Sequence, residues 1–177
     1  MLCAWQYRAF QRPVTDSING TTQGHLTMDI EALNKATVDR WFTMLWGDAC
    51  DLGIVDELAT PDVFLQYSMH TEHRGRQAVK TFMTGFRAAF PDLGFRRIGA
   101  LVADRGIVAV RWEGSGTHTG PAFNDFNIGP LPTASGRKIL LSGHTAVRLE
   151  VGMVVEEAVW STERKAQLRC ITGGLLL

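Results

Sequence analysis

The run Ala100–Gly120 constrains this chain more than any other stretch. Asp104-Arg105-Gly106 is a turn signal. Ile107–Trp112 after it is rich in β-branched and aromatic residues, as a half-buried strand is. Val108, Val110 and Trp112 share one face at period two, with Arg111 and Glu113 on the other. Gly114, Gly116 and Gly120 then permit bends around His118. The runs Lys138–Leu149 and Met153–Ser161 repeat this logic about Glu150-Val151-Gly152. Two hairpins in succession predict a curved antiparallel sheet.

The first half supplies the cover for that sheet. Met28–Trp46 reads as a helix capped by Thr27, with Ile30, Leu33, Thr37, Trp41 and Leu45 as its apolar stripe. Asp48–Leu58 reads as a second helix and Val63–His70 as a strand. Arg76–Phe90 reads as a third helix, with Val79, Phe82, Met83, Phe86 and Phe90 on one side, stopped by Pro91. Gly94–Val102 pairs with Gly106–His118, and the loop Pro121–Gly136 is long enough to rim a pocket. A last short helix is expected over Thr162–Cys170, broken by Gly173-Gly174. Helices first and a meandering sheet after predict an α+β fold with the three helices packed on one sheet face.

Length and composition narrow the function classes. The 177 residues suit one domain, and 45% hydrophobic content can fill a core. Eighteen basic residues balance eighteen acidic ones, and no basic cluster offers itself to nucleic acid or an anionic membrane. No apolar run approaches the roughly 20 residues that span a bilayer. Cys3, Cys50 and Cys170 are scattered and odd in number, which fits a reducing, cytoplasmic setting and offers no metal-binding spacing. Residues 1–27 lack a period and read as a flexible extension. They have no clean apolar core for a signal peptide, though Arg8 and Arg12 leave a transit-like pattern open. Residues 28–172 form the expected domain and residues 173–177 a tail.

Several pieces, in this order and spacing, resemble the SnoaL-like polyketide cyclase (ester cyclase) family of the nuclear transport factor 2-like superfamily. They are Phe86-Arg87-Ala88-Ala89-Phe90-Pro91-Asp92-Leu93, then Val108-Ala109-Val110-Arg111-Trp112 with Gly116-Thr117-His118-Thr119-Gly120. Leu131-Pro132-Thr133 follows before Gly136-Arg137, and Arg148 precedes Gly152-Met153-Val154-Val155-Glu156-Glu157. The resemblance spans roughly residues 34–172. It implies a cone-shaped domain, often a homodimer, that binds a small hydrophobic metabolite and works without a cofactor or metal. It also implies a carboxylate acid/base with a nearby histidine.

Such chemistry needs a proton acceptor in a dry pocket that raises a carboxylate's pKa, and a donor for the enolate oxygen. His144 and Glu156 are the first candidates. If the last hairpin sets Leu149 opposite Met153, His144 lies opposite Ala158 and Ala146 opposite Glu156. His144, Glu156, Ala158 and Trp160 then share a face, unless the register slips. The aspartate that the resemblance implies is absent, since Ala158 and Thr162 stand where it is expected. Glu156 or Glu157 is its substitute, and either can instead be a solvated strand residue. His118, in phase with Trp112, can reach the cone mouth or merely cap its loop. Tyr67 is a candidate enolate-oxygen donor. His70 needs a bulge to join the Tyr67 side. A metal reading of His70, Glu72 and His73 lacks a third ligand elsewhere. Trp112, Trp160, Phe86 and Trp46 are expected on the pocket wall, suited to a flat apolar ligand.

The resulting expectation is cyclisation, isomerisation or dehydration of a polyketide-like or terpenoid-like molecule. The rival is a non-catalytic ligand-binding or assembly domain, which the missing aspartate favours. Epoxide opening needs an Asp-Arg-Asp network that the strand phases do not supply, because Asp104 and Asp125 sit in turns and Arg111 faces away from Trp112.

Overall fold

A computed structural model describes residues 23–126 and 129–161 of the chain. The expected extension up to residue 22, the helix over Thr162–Cys170, the position Thr162 and the tail lie outside the described residues. No described helix is long and apolar enough to cross a membrane.

Helix α1 runs over Gln23–Trp41, so Thr27 lies inside it rather than capping it. Its inward stripe is Asn34, Thr37, Val38 and Trp41, whereas Ile30 and Leu33 are more than half exposed. A π-helical turn, Phe42–Trp46, continues it and closes with the Gly47 N–H on the Phe42 carbonyl at 3.2 Å. The extra residue in that turn rotates Phe42 and Trp46 inward together, as such turns do near functional sites. Helix α2 is only Gly53–Leu58, shorter than the sequence suggested. Helix α3, Arg76–Ala89, buries Val79, Phe82, Met83 and Phe86 at helical spacing, with Phe90 just beyond its end.

The strands are β1 Ala59–Tyr67, β2 His73–Arg74, β3 Gly94–Asp104, β4 Ile107–Thr117, β5 Lys138–Glu150 and β6 Met153–Ser161. They form one curved, unclosed sheet in the order β2-β1-β6-β5-β4-β3, covered on one face by the helices. Every pairing is antiparallel except β1 with β6, which runs parallel. The short β2 and the long β3 form the two edges of this sheet.

The last hairpin carries one irregularity that matters. Leu149 pairs with Val154, but Arg148 pairs with Glu156, so Val155 is an extra residue in β6. Beyond this bulge His144 pairs with Trp160 and Ala146 with Ala158, each two positions from the expected register. Because a two-residue shift preserves the pleat, His144, Glu156, Ala158 and Trp160 do share a face. It is the outer one. The inner face holds Val108, Val110 and Trp112 of β4, Thr145 and Val147 of β5, Glu157 and Val159 of β6, and Leu65 and Tyr67 of β1.

Candidate active site

The inner face and the helices enclose a cavity of about 50 Å³. Its walls are Phe42 and Trp46 from the π-turn, Tyr67, Met69 and His70 from the end of β1, and Phe82 and Phe86 from α3. The sheet contributes Phe95, Trp112, Leu141, Thr145, Glu157 and Val159. The rings meet mostly edge to face: Trp46 lies 5.5 Å from Tyr67 and 5.3 Å from Phe95, centroid to centroid. The wall polar groups are few. Thr145 is already engaged, accepting from Trp112 Nε1 at 2.8 Å.

Glu157 is the buried carboxylate of this cavity, 1% exposed. One oxygen accepts from Trp41 Nε1 at 2.8 Å, which ties the end of α1 to β6. Burial among apolar rings pushes its pKa up to about 7, and the donors of Trp41, Trp46 and Tyr67 hold it from rising further. Among the described residues, Trp46 Nε1 and Tyr67 Oη nevertheless complete no hydrogen bond, although both atoms are buried. The same surroundings raise the Tyr67 pKa well above the ordinary phenol value, through burial first and the Glu157 charge second. Tyr67 therefore keeps its proton and can donate it in a hydrogen bond. A carboxyl poised near neutrality thus sits beside two buried donors with capacity to spare.

His70 enters the cavity by a turn rather than a bulge. β1 ends at Tyr67, and the His70 N–H bonds back to the Tyr67 carbonyl at 3.2 Å. The ring then packs among Phe82, Phe86 and Phe126, and His70 forms an isolated bridge with Phe126. Its Nδ1 lies 2.9 Å from Asp125 Oδ2. Asp125 also accepts from Thr71 Oγ1 at 2.5 Å and lies 3.3 Å from His73 Nε2. Burial lowers the His70 pKa, against the pull of Asp125. Burial also works to raise that of Asp125, but the bonds from His70 and Thr71 outweigh it and the net shift is downward. Glu72 turns away toward Gln66 Nε2, 3.4 Å from it. Among the described residues no group of three or more histidine, cysteine or acidic side chains is arranged to hold a metal.

Of the residues singled out in the sequence, the structure brings Glu157, Tyr67, His70, Phe86, Trp112 and Trp46 to this cavity. Four others lie elsewhere. His144 is exposed on the outer face, because the apolar phase of β5 (Leu141, Thr145, Val147, Leu149) points inward and His144 alternates with it. Trp160 pairs with it there, 39% exposed. Glu156 is buried but on the outer side, where Oε2 accepts from Arg148 Nε at 3.1 Å. His118 is fully buried in its loop. Ser135 N–H donates to Nδ1 at 3.3 Å, so Nε2 carries the proton and donates to the Pro121 carbonyl at 3.2 Å. Trp41 and Asp125 were not foreseen as site residues. Trp41 reads as plain core, and Asp125 signals only through its place in a loop that rims the pocket.

The loop and helix ends are fixed by close contacts. Arg87 donates to the carbonyls of Trp46 at 3.0 Å and Gly47 at 2.5 Å, and to that of Leu93, locking α3 to the π-turn. Gly120 donates its N–H to the Ala89 carbonyl at 3.1 Å, and a Cβ on it would lie 1.7 Å from the Ala88 oxygen.

The model of the SnoaL-like polyketide cyclase family matches residues 36–168. No curated protein matches the chain in sequence. Solved structures do share its fold. A proposed SnoaL-like polyketide cyclase from Jannaschia sp. CCS1 is 21% identical with a TM-score of 0.67, over 89% of this chain and 98% of that one. AclR, a proposed hydroxylase from Streptomyces galilaeus, is 24% identical with a TM-score of 0.59, over 79% and 82%. IdmH, a proposed polyketide cyclase from Streptomyces antibioticus, is 20% identical with a TM-score of 0.58, over 79% and 98%.

Proposed function

The chain belongs to the SnoaL-like polyketide cyclase family, and from that premise we propose that it is an enzyme of cofactor-free acid/base chemistry on a hydrophobic carbonyl compound. Cyclisation, isomerisation or dehydration of a polyketide-like or terpenoid-like molecule all fall within it. Glu157 moves the proton, and Trp46 Nε1 and Tyr67 Oη stabilise the enolate oxygen as charge develops there. The observation that supports this most is the buried Glu157 with a pKa of about 7 in an apolar cavity, next to two buried donors that complete no hydrogen bond among the described residues. A base near the working pH combines availability with strength.

The volume limits the ligand. At about 50 Å³ the cavity is far below the roughly 300–1,000 Å³ of a drug-sized site. It takes a small group, such as the reacting carbonyl end of a molecule. A one-ring probe suits the test: isomerisation of 3-cyclohexen-1-one to its conjugated isomer, followed by ultraviolet absorbance. Wild type is expected to accelerate it and Glu157→Gln to lose at least a hundredfold, within the range that positioned acid/base groups supply (about 10²–10⁴). Equal rates in the two proteins, or no acceleration by wild type, would leave a ligand-binding domain as the reading.

The same reading pairs two copies through the outer sheet face. Leu140, Val102 and Trp160 are exposed there at 61%, 66% and 39%. Sedimentation equilibrium tests the pairing.

A further inference from the structure

We infer that the cavity is also a receptor for a small monocarboxylate the size of acetate, taken up above neutral pH together with one proton. Trp46 Nε1, Tyr67 Oη and the protonated carboxyl of Glu157 hold its oxygens. This rests on the reading of Glu157 given above for the site alone, and needs no turnover.

The donors point to the ligand. Trp46 Nε1 and Tyr67 Oη are buried and, among the described residues, complete no hydrogen bond. Leaving a buried donor without an acceptor is costly. Here two such donors line one small cavity. Both act on the charge of Glu157, so they converge on the same end of it. The indole N–H can only give, and burial keeps the Tyr67 phenol protonated. Glu157 already spends one oxygen on Trp41 Nε1 at 2.8 Å. What suits the two remaining donors is a compact acceptor with more than one oxygen, and a carboxylate is that group.

Size and charge narrow the class. One water needs roughly 10–15 Å³, so a cavity of about 50 Å³ takes about four non-hydrogen atoms. Acetate meets that limit and an aromatic acid exceeds it. The titratable groups lining the cavity beside Glu157 are Tyr67 and His70, with Asp125 and His73 behind His70. The π-turn contributes Phe42 and Trp46, α3 contributes Phe82 and Phe86, and the sheet contributes Trp112 and Thr145, none of them charged. Burial lowers the His70 pKa, so near neutrality no cation in the wall offsets an anion.

A carboxylate next to an ionised Glu157 would place two like charges in one dry space. The pair therefore shares a proton: the O–H of one carboxyl donates to an oxygen of the other, and the cavity holds a single negative charge. The pKa of Glu157 is about 7. Below that pH Glu157 already carries the proton, and binding takes up none. Above it each ligand brings one proton in, and affinity falls about tenfold per pH unit. Acetate then competes with the carbonyl ligand, and more strongly as pH falls.

The test titrates the wild-type protein with ¹³C-labelled acetate, followed by NMR at constant ionic strength at pH 6.5, 8 and 9. Calorimetry at pH 8 in HEPES and in Tris counts the protons. Wild type should bind acetate, bind benzoate at least tenfold more weakly, lose about tenfold in affinity from pH 8 to 9, and take up close to one proton. Trp46→Phe and Tyr67→Phe should each weaken binding at least tenfold, as loss of a hydrogen bond to a charged group does. Glu157→Gln should keep the binding and lose its pH dependence. The inference is overturned if acetate does not bind at pH 6.5, if no proton is taken up at pH 8, or if both donor variants bind as wild type does. The wild-type proton count decides even where a variant fails to fold. Isomerisation of 3-cyclohexen-1-one separates the two readings. A Glu157→Gln variant that isomerises normally sinks the catalytic role and leaves the receptor standing, whereas lost isomerisation without acetate binding does the reverse.

Discussion

Glu156 and Glu157 are adjacent in sequence and serve opposite sides of one strand: the first meets Arg148 at 3.1 Å on the outer face, the second meets Trp41 Nε1 at 2.8 Å inside. Their environments make different predictions for the same substitution.

Glu157 should weaken the fold as it ionises. Its folded-state pKa is about 7, above the ordinary 4.5, so the folded protein binds more protons than the unfolded chain between those values. Stability from this group is full below pH 4.5, declines as pH rises to about 7, and is level above. A shift of this size is worth roughly 3 kcal/mol at about 1.4 kcal/mol per unit. Denaturant titrations at pH 5 and pH 8 should show that decline in wild type and its near absence in Glu157→Gln. An equal decline in both would place the titration elsewhere.

The rate of 3-cyclohexen-1-one isomerisation should climb through a midpoint near pH 7, where Glu157 becomes a base. Trp41→Phe removes the 2.8 Å bond that favours the charged form. Hydrogen bonds to charged groups contribute roughly 1.5–3 kcal/mol, so the midpoint should move up by about one to two units. A midpoint that stays put would mean Trp41 only packs.

Arg148→Met should destabilise without changing isomerisation. Glu156 is 4% exposed and its second oxygen has no partner among the described residues, so losing Arg148 strands a buried carboxylate. Because Arg148 itself is 30% exposed, solvent softens the loss to about 1–2 kcal/mol. Chemical denaturation reads the first part and the enone assay the second.

Gly120→Ala should be among the most damaging small substitutions. The added carbon would lie 1.7 Å from a backbone oxygen of α3, and backbone cannot swing aside as a side chain can. A loss of about 2 kcal/mol or more is expected, lowering Tm by roughly 4–8 °C. An unchanged Tm would show that the loop re-seats freely.

Val151→Asn should stabilise. Val151 and Gly152 turn the last hairpin with φ of 50° and 75°, and Val151 is fully exposed. A β-branched residue is strained there, and Asn-Gly is the preferred pair. A gain of about 1 kcal/mol should raise Tm by roughly 2–4 °C.

The two hairpins and α3 were legible because their signals are local: period-two alternation in β4 and β5, helical spacing of Val79, Phe82, Met83 and Phe86. The parallel pairing of β1 with β6 was not, since nothing in either strand announces a partner so far away in sequence. Nor was the π-turn that swings Trp46 inward. The pocket side of β5 could be read from Leu141, Thr145 and Val147, and that phase already opposed His144. On β6 the alternation is ambiguous, with Val and Glu on both phases, so the choice between the two glutamates had no local answer. Asp125 meets Thr71, His70 and His73 through a contact made by folding a loop back onto the end of β1.

The bulge at Val155 settles that choice. Had the Leu149–Val154 register simply continued, Val147 would face Glu156, and Glu157 would point to the outer side. One surplus residue in β6 therefore selects which carboxyl faces the cavity, with no change in either side chain. In any comparison between relatives, identical letters in one alignment column need not be identical chemistry. A one-residue insertion or deletion in this hairpin would exchange the roles of two neighbouring glutamates, giving evolution a way to silence or restore such a site by length alone.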